Sequence, residues 1–103
     1  MNDYGIANYT ILANGNMDGT WAHASANIPS TETAVKITAA AGLAGTYAFQ
    51  YIEGGDTYRG RLTIRNVGDT FQFVWRVGGH IWFEGIGMLV SHNSISVAYR
   101  NRP

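Results

Sequence analysis

Between Gly45 and Tyr99 the chain alternates in side-chain character almost residue by residue. No other feature constrains the fold as strongly. In Tyr58-Arg59-Gly60-Arg61-Leu62-Thr63-Ile64-Arg65, every second residue is charged or polar, and those between are apolar or glycine. Phe71, Phe73, Trp75 and Val77 continue the pattern on one parity, with Gln72 and Arg76 on the other. Successive side chains of a strand point to opposite faces, so period two marks a half-buried strand. Turn signals punctuate the runs at Gly54-Gly55, Gly68-Asp69, Gly78-Gly79 and His92-Asn93.

Strands are expected near 45–53, 56–66, 70–77, 81–90 and 94–100. Upstream, residues 4–12 form a first strand with Tyr9 and Ile11 on one face, and Asn14-Gly15-Asn16 is a turn. A second strand runs from about Met17 to Ala24. Asn27 to Thr33 reads as a loop, because Pro29 removes a donor and its small polar neighbours favour turns. A short third strand follows at Val35 and Ile37, and Thr38 to Ala44 is a loop or a single helical turn.

Eight sequential strands with short links predict an all-β, eight-stranded antiparallel up-and-down β-barrel with little or no helix. Such a barrel closes on itself and leaves no exposed edge. A two-sheet sandwich needs Greek-key crossovers, and no connection is long enough to carry one. A chain of 103 residues fits one domain spanning 1–103.

Register follows from the turns. Two-residue turns at Gly54-Gly55 and Gly68-Asp69 set Tyr51 against Tyr58, Phe49 against Gly60, Ile64 against Phe73 and Leu62 against Trp75. A three-residue loop at Gly78-Gly79-His80 sets Phe73 against Gly85 and Phe71 against Gly87. Central glycines then lie opposite phenylalanines whose rings cover the gap, which is how a curved sheet bends without a hole. The inward set is Tyr47, Phe49, Tyr51, Tyr58, Leu62, Ile64, Phe71, Phe73, Trp75, Phe83, Leu89, Ile95, Val97 and Tyr99, with Trp21 from the second strand.

Composition excludes several functions. Seven acidic and seven basic residues cancel, leaving no global field to draw the chain to nucleic acid or an anionic membrane. The row Arg59, Arg61 and Arg65 is expected to pair across strands with Glu53, Asp56 or Glu84. With no cysteine there is neither a disulfide framework nor a thiolate zinc site. His23, His80 and His92 do not cluster and are expected to be solvated, so no metal and no cofactor is expected. No apolar run is long enough to span a bilayer, and MNDYGIANYT lacks the pattern of a signal peptide, which favours the cytoplasm.

The inward aromatics Tyr47, Phe49, Tyr51, Tyr58, Phe73, Trp75, Phe83 and Tyr99 give an apolar wall with hydroxyl handles. That suits a small apolar or aromatic ligand in the barrel mouth. The expected function is therefore a non-enzymatic ligand-binding barrel. A filled barrel acting through its surface is one alternative. The other is a small barrel cyclase or isomerase, in which a tyrosine works with Glu53, Asp56 or Glu84. No nucleophile elbow, phosphate loop or metal-ligand spacing is present. Val74, Trp82, Ile86 and Met88 fall on the outward parity, an apolar patch predicting a homo-oligomer, dimer or tetramer.

At Gly19-Thr20-Trp21, and again at Gly45-Thr46-Tyr47, the chain resembles the calycins, the lipocalin and avidin-like small barrels. The stretch 45–99, with its GTY, Y-x-G-x-L-x-I, G-x-G and closing V-x-Y, is also similar to small bacterial proteins of largely unassigned function. There the segment resembling YTILANGNMDGTW follows the meander, so this chain looks like a circular rearrangement of that barrel. The resemblance implies that Trp21 plugs one barrel end with Arg100, or Arg102, packed across its ring. The polar residues and repeated tryptophans of a biotin pocket are lacking, so biotin binding is not carried over.

Overall fold

The computed structural model describes residues 3–26, 28–39 and 41–102. Eight strands follow one another: β1 (Tyr4–Ile11), β2 (Met17–His23), β3 (Ser30–Lys36), β4 (Gly45–Glu53), β5 (Asp56–Val67), β6 (Thr70–Val77), β7 (His80–Ser91) and β8 (Ser94–Asn101). Each pairs antiparallel with the next, and β8 pairs with β1, so the sheet is a closed barrel. The expected architecture is the observed one, with no helix among the described residues.

The turns act as their glycines dictate. Gly54 and Gly55 have φ of 58° and 86°, and Gly78 and Gly79 have 59° and 82°, the paired positive values of a tight hairpin turn. The expected pairs Tyr51 with Tyr58, Phe49 with Gly60, Leu62 with Trp75, Phe73 with Gly85 and Phe71 with Gly87 all occur. The route to the last two differs from expectation. Gly78-Gly79 is a two-residue turn pairing Val77 with His80, and the register then shifts by one beside Trp75 and Arg76. A β-bulge at Ile81-Trp82 supplies the extra residue that the sequence reading placed in the loop.

Strand β3 departs further. It begins at Ser30, inside the expected loop, and its inward parity is Ser30, Glu32 and Ala34. Val35 and Ile37, expected to mark the strand, lie half-exposed outside. Ladder pairing decides the matter: Ala34 sits between Met17 and Phe49, both interior, and this fixes the parity of the whole strand. Asn27, the expected start of the loop, and Ala40, within 38–44, lie outside the described residues.

The interior is packed with side chains through its centre. Tyr9, Met17, Leu62, Phe73, Ile95 and Val97 are fully buried, and Leu43 packs against the core at the lower end. Leu89, expected inside, is half-exposed there. Arg59, Arg61 and Arg65 do not take their expected carboxylate partners. Arg65 donates to Gln72 at 2.6 Å, and Arg61 stands opposite Arg76.

Arg100 and Arg102 are not packed over Trp21. Arg100 points outward, because its ladder partners Tyr4 and Glu84 fix it on the opposite parity to buried Tyr99. Both guanidiniums bind Glu84, at 2.7 Å from Arg100 and 2.8 Å from Arg102, and the Arg100 hydrogen bond leads in holding that carboxyl below its usual range. Exposed pairs of this kind contribute little. Arg100→Ala is therefore expected to lower the unfolding free energy read from urea denaturation by less than about 1 kcal/mol. A larger loss would mean that the arginine supports the core.

Candidate functional site

In an up-and-down barrel the ends of even strands and the starts of odd strands share one mouth. Here that mouth gathers Asp3, His23, Glu32, Glu53, Tyr58, Trp75, Phe83 and Tyr99, residues far apart in sequence.

Its floor is built from a ring of ladder partners. Tyr9 pairs with Gly19, Gly19 with Glu32, and Glu32 with Tyr51. A Cβ on Gly19 would lie 2.6 Å from the Tyr9 ring, so glycine is what lets that ring lie across β2. The Tyr9 hydroxyl thereby donates to Glu32 Oε1 at 2.7 Å. Trp21 Nε1–H donates to the same oxygen at 2.6 Å. The Gly-x-Trp pair thus has a local physical meaning: the glycine admits one donor and the tryptophan is the other.

Glu32 is only 2% exposed. Burial disfavours its charged form and outweighs the hydrogen bonds from Tyr9 and Trp21, so the carboxyl is pushed up to about 7. Its Oε2 has no hydrogen-bond partner, nor does Trp75 Nε1. The Tyr9 hydroxyl is raised well above its ordinary value, by burial first and then by Glu32.

Above the floor stands His23, its side chain 3% exposed. Its Nε2 bonds the Tyr51 hydroxyl and its Nδ1 bonds the Tyr99 hydroxyl. The Tyr99 hydroxyl also donates to Ala22 O at 3.0 Å. Because Tyr99 donates to Ala22, Nδ1 carries a proton and donates to Tyr99, while the Tyr51 hydroxyl donates to Glu53 Oε1 at 3.0 Å. Asp3 and Glu53 carboxylates lie 3.3 and 3.2 Å from the two ring nitrogens. Burial raises the Tyr51 and Tyr99 hydroxyls above their ordinary values.

The cavity between these groups has a volume of about 200 Å³. Trp21 is the hub of its walls, with ring centroids 4.9 Å from Trp75, 5.5 Å from Phe83 and 5.4 Å from Tyr51. Tyr58 and Trp82 form the rim, 5.7 Å apart.

Of the expected ligand residues, Phe49, Tyr51, Tyr58, Trp75 and Phe83 line this cavity. Tyr99 acts behind it, through His23. Two belong elsewhere. Tyr47 is at the far end, its hydroxyl donating to Leu43 O at 2.7 Å, and Phe73 fills the centre against Tyr9. Trp82, expected on the outer patch, sits at the mouth because the bulge turns it from the outward parity toward Tyr58. Val74, Ile86 and Met88 do face outward. His80 and His92 are exposed as expected, whereas His23 is not.

No protein-family model, curated protein or solved structure matches this chain. The site therefore rests on its own chemistry.

Sequence reasoning missed Glu32, His23 and Asp3. A signal for Glu32 was available in Tyr9 and Trp21, whose polar tips each need a partner when the ring is buried. Together the residues make an aromatic-walled mouth with an acidic floor. It can orient a small molecule by one strong polar contact and can exchange a proton near neutrality.

Proposed function

We propose that this protein is a non-enzymatic barrel that binds a small, largely apolar or aromatic molecule at the mouth where β2, β4, β6 and β8 end. One observation carries the reading: an aromatic-walled cavity stands over a buried carboxyl oxygen that lacks a hydrogen-bond partner. Pockets that bind small molecules combine apolar walls with a few placed polar groups in this way. The sequence resemblance to calycin barrels agrees with it.

Native mass spectrometry of protein taken directly from cells tests this, with a retained small molecule as the expected result. Protein that carries only the chain mass, and whose tryptophan fluorescence is unmoved by a library of aromatic fragments, overturns it. All three tryptophans line the cavity, so their signal reports on the site.

A second reading, a proton-transferring cyclase or isomerase, is favoured by Glu32 alone. A carboxyl held at about 7 is matched to acid–base work at neutral pH. Incubating the retained molecule with fresh protein separates the two. Recovery unchanged supports binding, whereas time-dependent conversion that Glu32→Gln abolishes establishes catalysis.

In this reading the protein also self-associates through the outer face of β1, β8, β7 and β6. Ile6 pairs with Ala98 and Ala98 with Ile86, while Met88 and Val74 extend the apolar strip. Sedimentation at micromolar concentration is expected to show a dimer or tetramer that Ile86→Glu dissociates without loss of folded structure. A lone 11.2 kDa species from the unaltered chain refutes this.

A further inference from the structure

We infer that the ligand of this mouth is a small organic cation, an alkylammonium or arylalkylammonium whose charged nitrogen rests against Glu32. The inference rests on the ligand-binding reading above and names the chemistry of what is bound.

Charge is the first argument. The chain as a whole is neutral, yet the cavity is lined by Asp3, Glu32 and Glu53 and, among the described residues, by no lysine or arginine. His23 is the sole basic side chain there, and both its ring nitrogens already have partners. Three carboxyl groups stand against one imidazole. An anionic ligand would meet this field with repulsion.

The second argument is independent of the count. Glu32 is buried, lines the cavity and has one oxygen without a hydrogen-bond partner. A buried carboxylate left partly unsatisfied is costly, and a charged donor compensates it better than a neutral one. The donors it has, Tyr9 and Trp21, share its other oxygen. An ammonium N–H, or the positive face of a methylated ammonium, held in the cavity lies beside this partly unsatisfied carboxyl.

The walls supply the third. Trp21, Trp75 and Trp82 all border the cavity, together with Tyr51, Tyr58 and Phe83. Indole and phenol faces attract cations through the ring quadrupole, and aromatic cages of this kind hold organic ammonium groups. A metal ion fits less well. Among the described residues no cluster of three or more ligating side chains could hold one, and aromatic faces do not replace its hydration shell. The volume, about 200 Å³, equals that of roughly six or seven waters at about 30 Å³ each, so the cation is small.

Three probes that share one carbon skeleton test this: 2-phenylethylammonium, 2-phenylethanol and phenylacetate. Each is titrated into the full chain while the tryptophan indole N–H resonances are followed. The ammonium is expected to bind roughly tenfold or more tighter than the alcohol, a difference of about 1.4 kcal/mol, with phenylacetate weakest. Glu32→Gln is expected to remove most of that preference and leave the alcohol within roughly twofold. Glu53→Gln, at the more exposed rim, should weaken the ammonium by a smaller factor. It provides a second readout should Glu32→Gln fold poorly. Equal binding of ammonium and alcohol overturns the cation inference and leaves the binding reading standing. So does tighter binding of phenylacetate. Silence of the indole resonances toward all three probes also overturns it, and the retained-ligand experiment then decides the binding reading separately.

Discussion

Replacing Trp21 with alanine is expected to lower the unfolding free energy by about 3–5 kcal/mol through lost packing alone. The ring is 2% exposed and lies against His23, Tyr51, Trp75, Phe83 and Tyr99, so no neighbour is free to collapse into the hole. Its N–H is also one of two donors to Glu32, and removing a donor from a buried acceptor adds roughly 1–3 kcal/mol. Against a typical total of about 5–15 kcal/mol, the variant stands at the edge of unfolding. Trp21→Phe separates the two contributions, because it keeps most of the ring and loses only the donor. Urea midpoints of both variants provide the check. A Trp21→Ala midpoint close to that of the unaltered chain would show that the tryptophan is not the hub of this mouth.

Glu32→Gln is expected to act in the opposite direction at alkaline pH. The Glu32 carboxyl is raised from 4.5 to about 7, so between those values the folded state holds a proton that the unfolded chain has released. Its contribution is fully present below about 4.5, declines as pH rises through that window, and is lost above about 7. The loss corresponds to roughly 3 kcal/mol. Glutamine keeps the shape and an acceptor for Tyr9 and Trp21 but cannot ionise. The variant should therefore exceed the unaltered protein at pH 8 by about 2–3 kcal/mol and match it near pH 4.5. Paired denaturation curves at both pH values measure the difference, in which the unchanged carboxylates Asp3 and Glu53 cancel. Parallel stability profiles for the two proteins would mean that Glu32 is ionised and well solvated in the folded state.

How much of this was legible in the sequence depended on which half of the chain carried it. From β4 to β6, alternation and glycine turns locate the side chains and the ladder pairs follow by counting from the turns, whereas β7 carries a register shift against each neighbour. The bulge at Trp82 escaped because a three-residue loop and a two-residue turn with a bulge add the same single residue. They differ only in which side chain is turned, and Trp82 is that one. β3 was illegible for another reason. Ser30-Thr31-Glu32-Thr33 is polar on both parities, so no local pattern says which side is buried. Its parity comes from Met17 and Phe49 on neighbouring strands. The polar half of the site was hidden with it, since Glu32, His23 and Asp3 meet only when the strands close. The aromatic half was visible because it belongs to the alternating stretch. The arginine expected over Trp21 failed on parity: Arg100 follows inward Tyr99 and so must point out.

The seam between β1 and β8 has a kinetic meaning. Seven of the eight ladders join neighbours in sequence and can zip from their turns. The eighth joins Tyr4 to Arg100 and Tyr9 to Ile95, from opposite ends of the chain. Loop-closure entropy makes such a pairing the slow and late step of folding. Asp3 and Asn101 pin it with backbone and side-chain bonds at 2.9 and 2.6 Å. Asp3 lies on one side of the seam and Tyr99 on the other, and both hold His23. The mouth is therefore assembled by the same event that closes the chain. A molecule bound there holds the seam shut by mass action, most strongly in the part of the barrel that forms last.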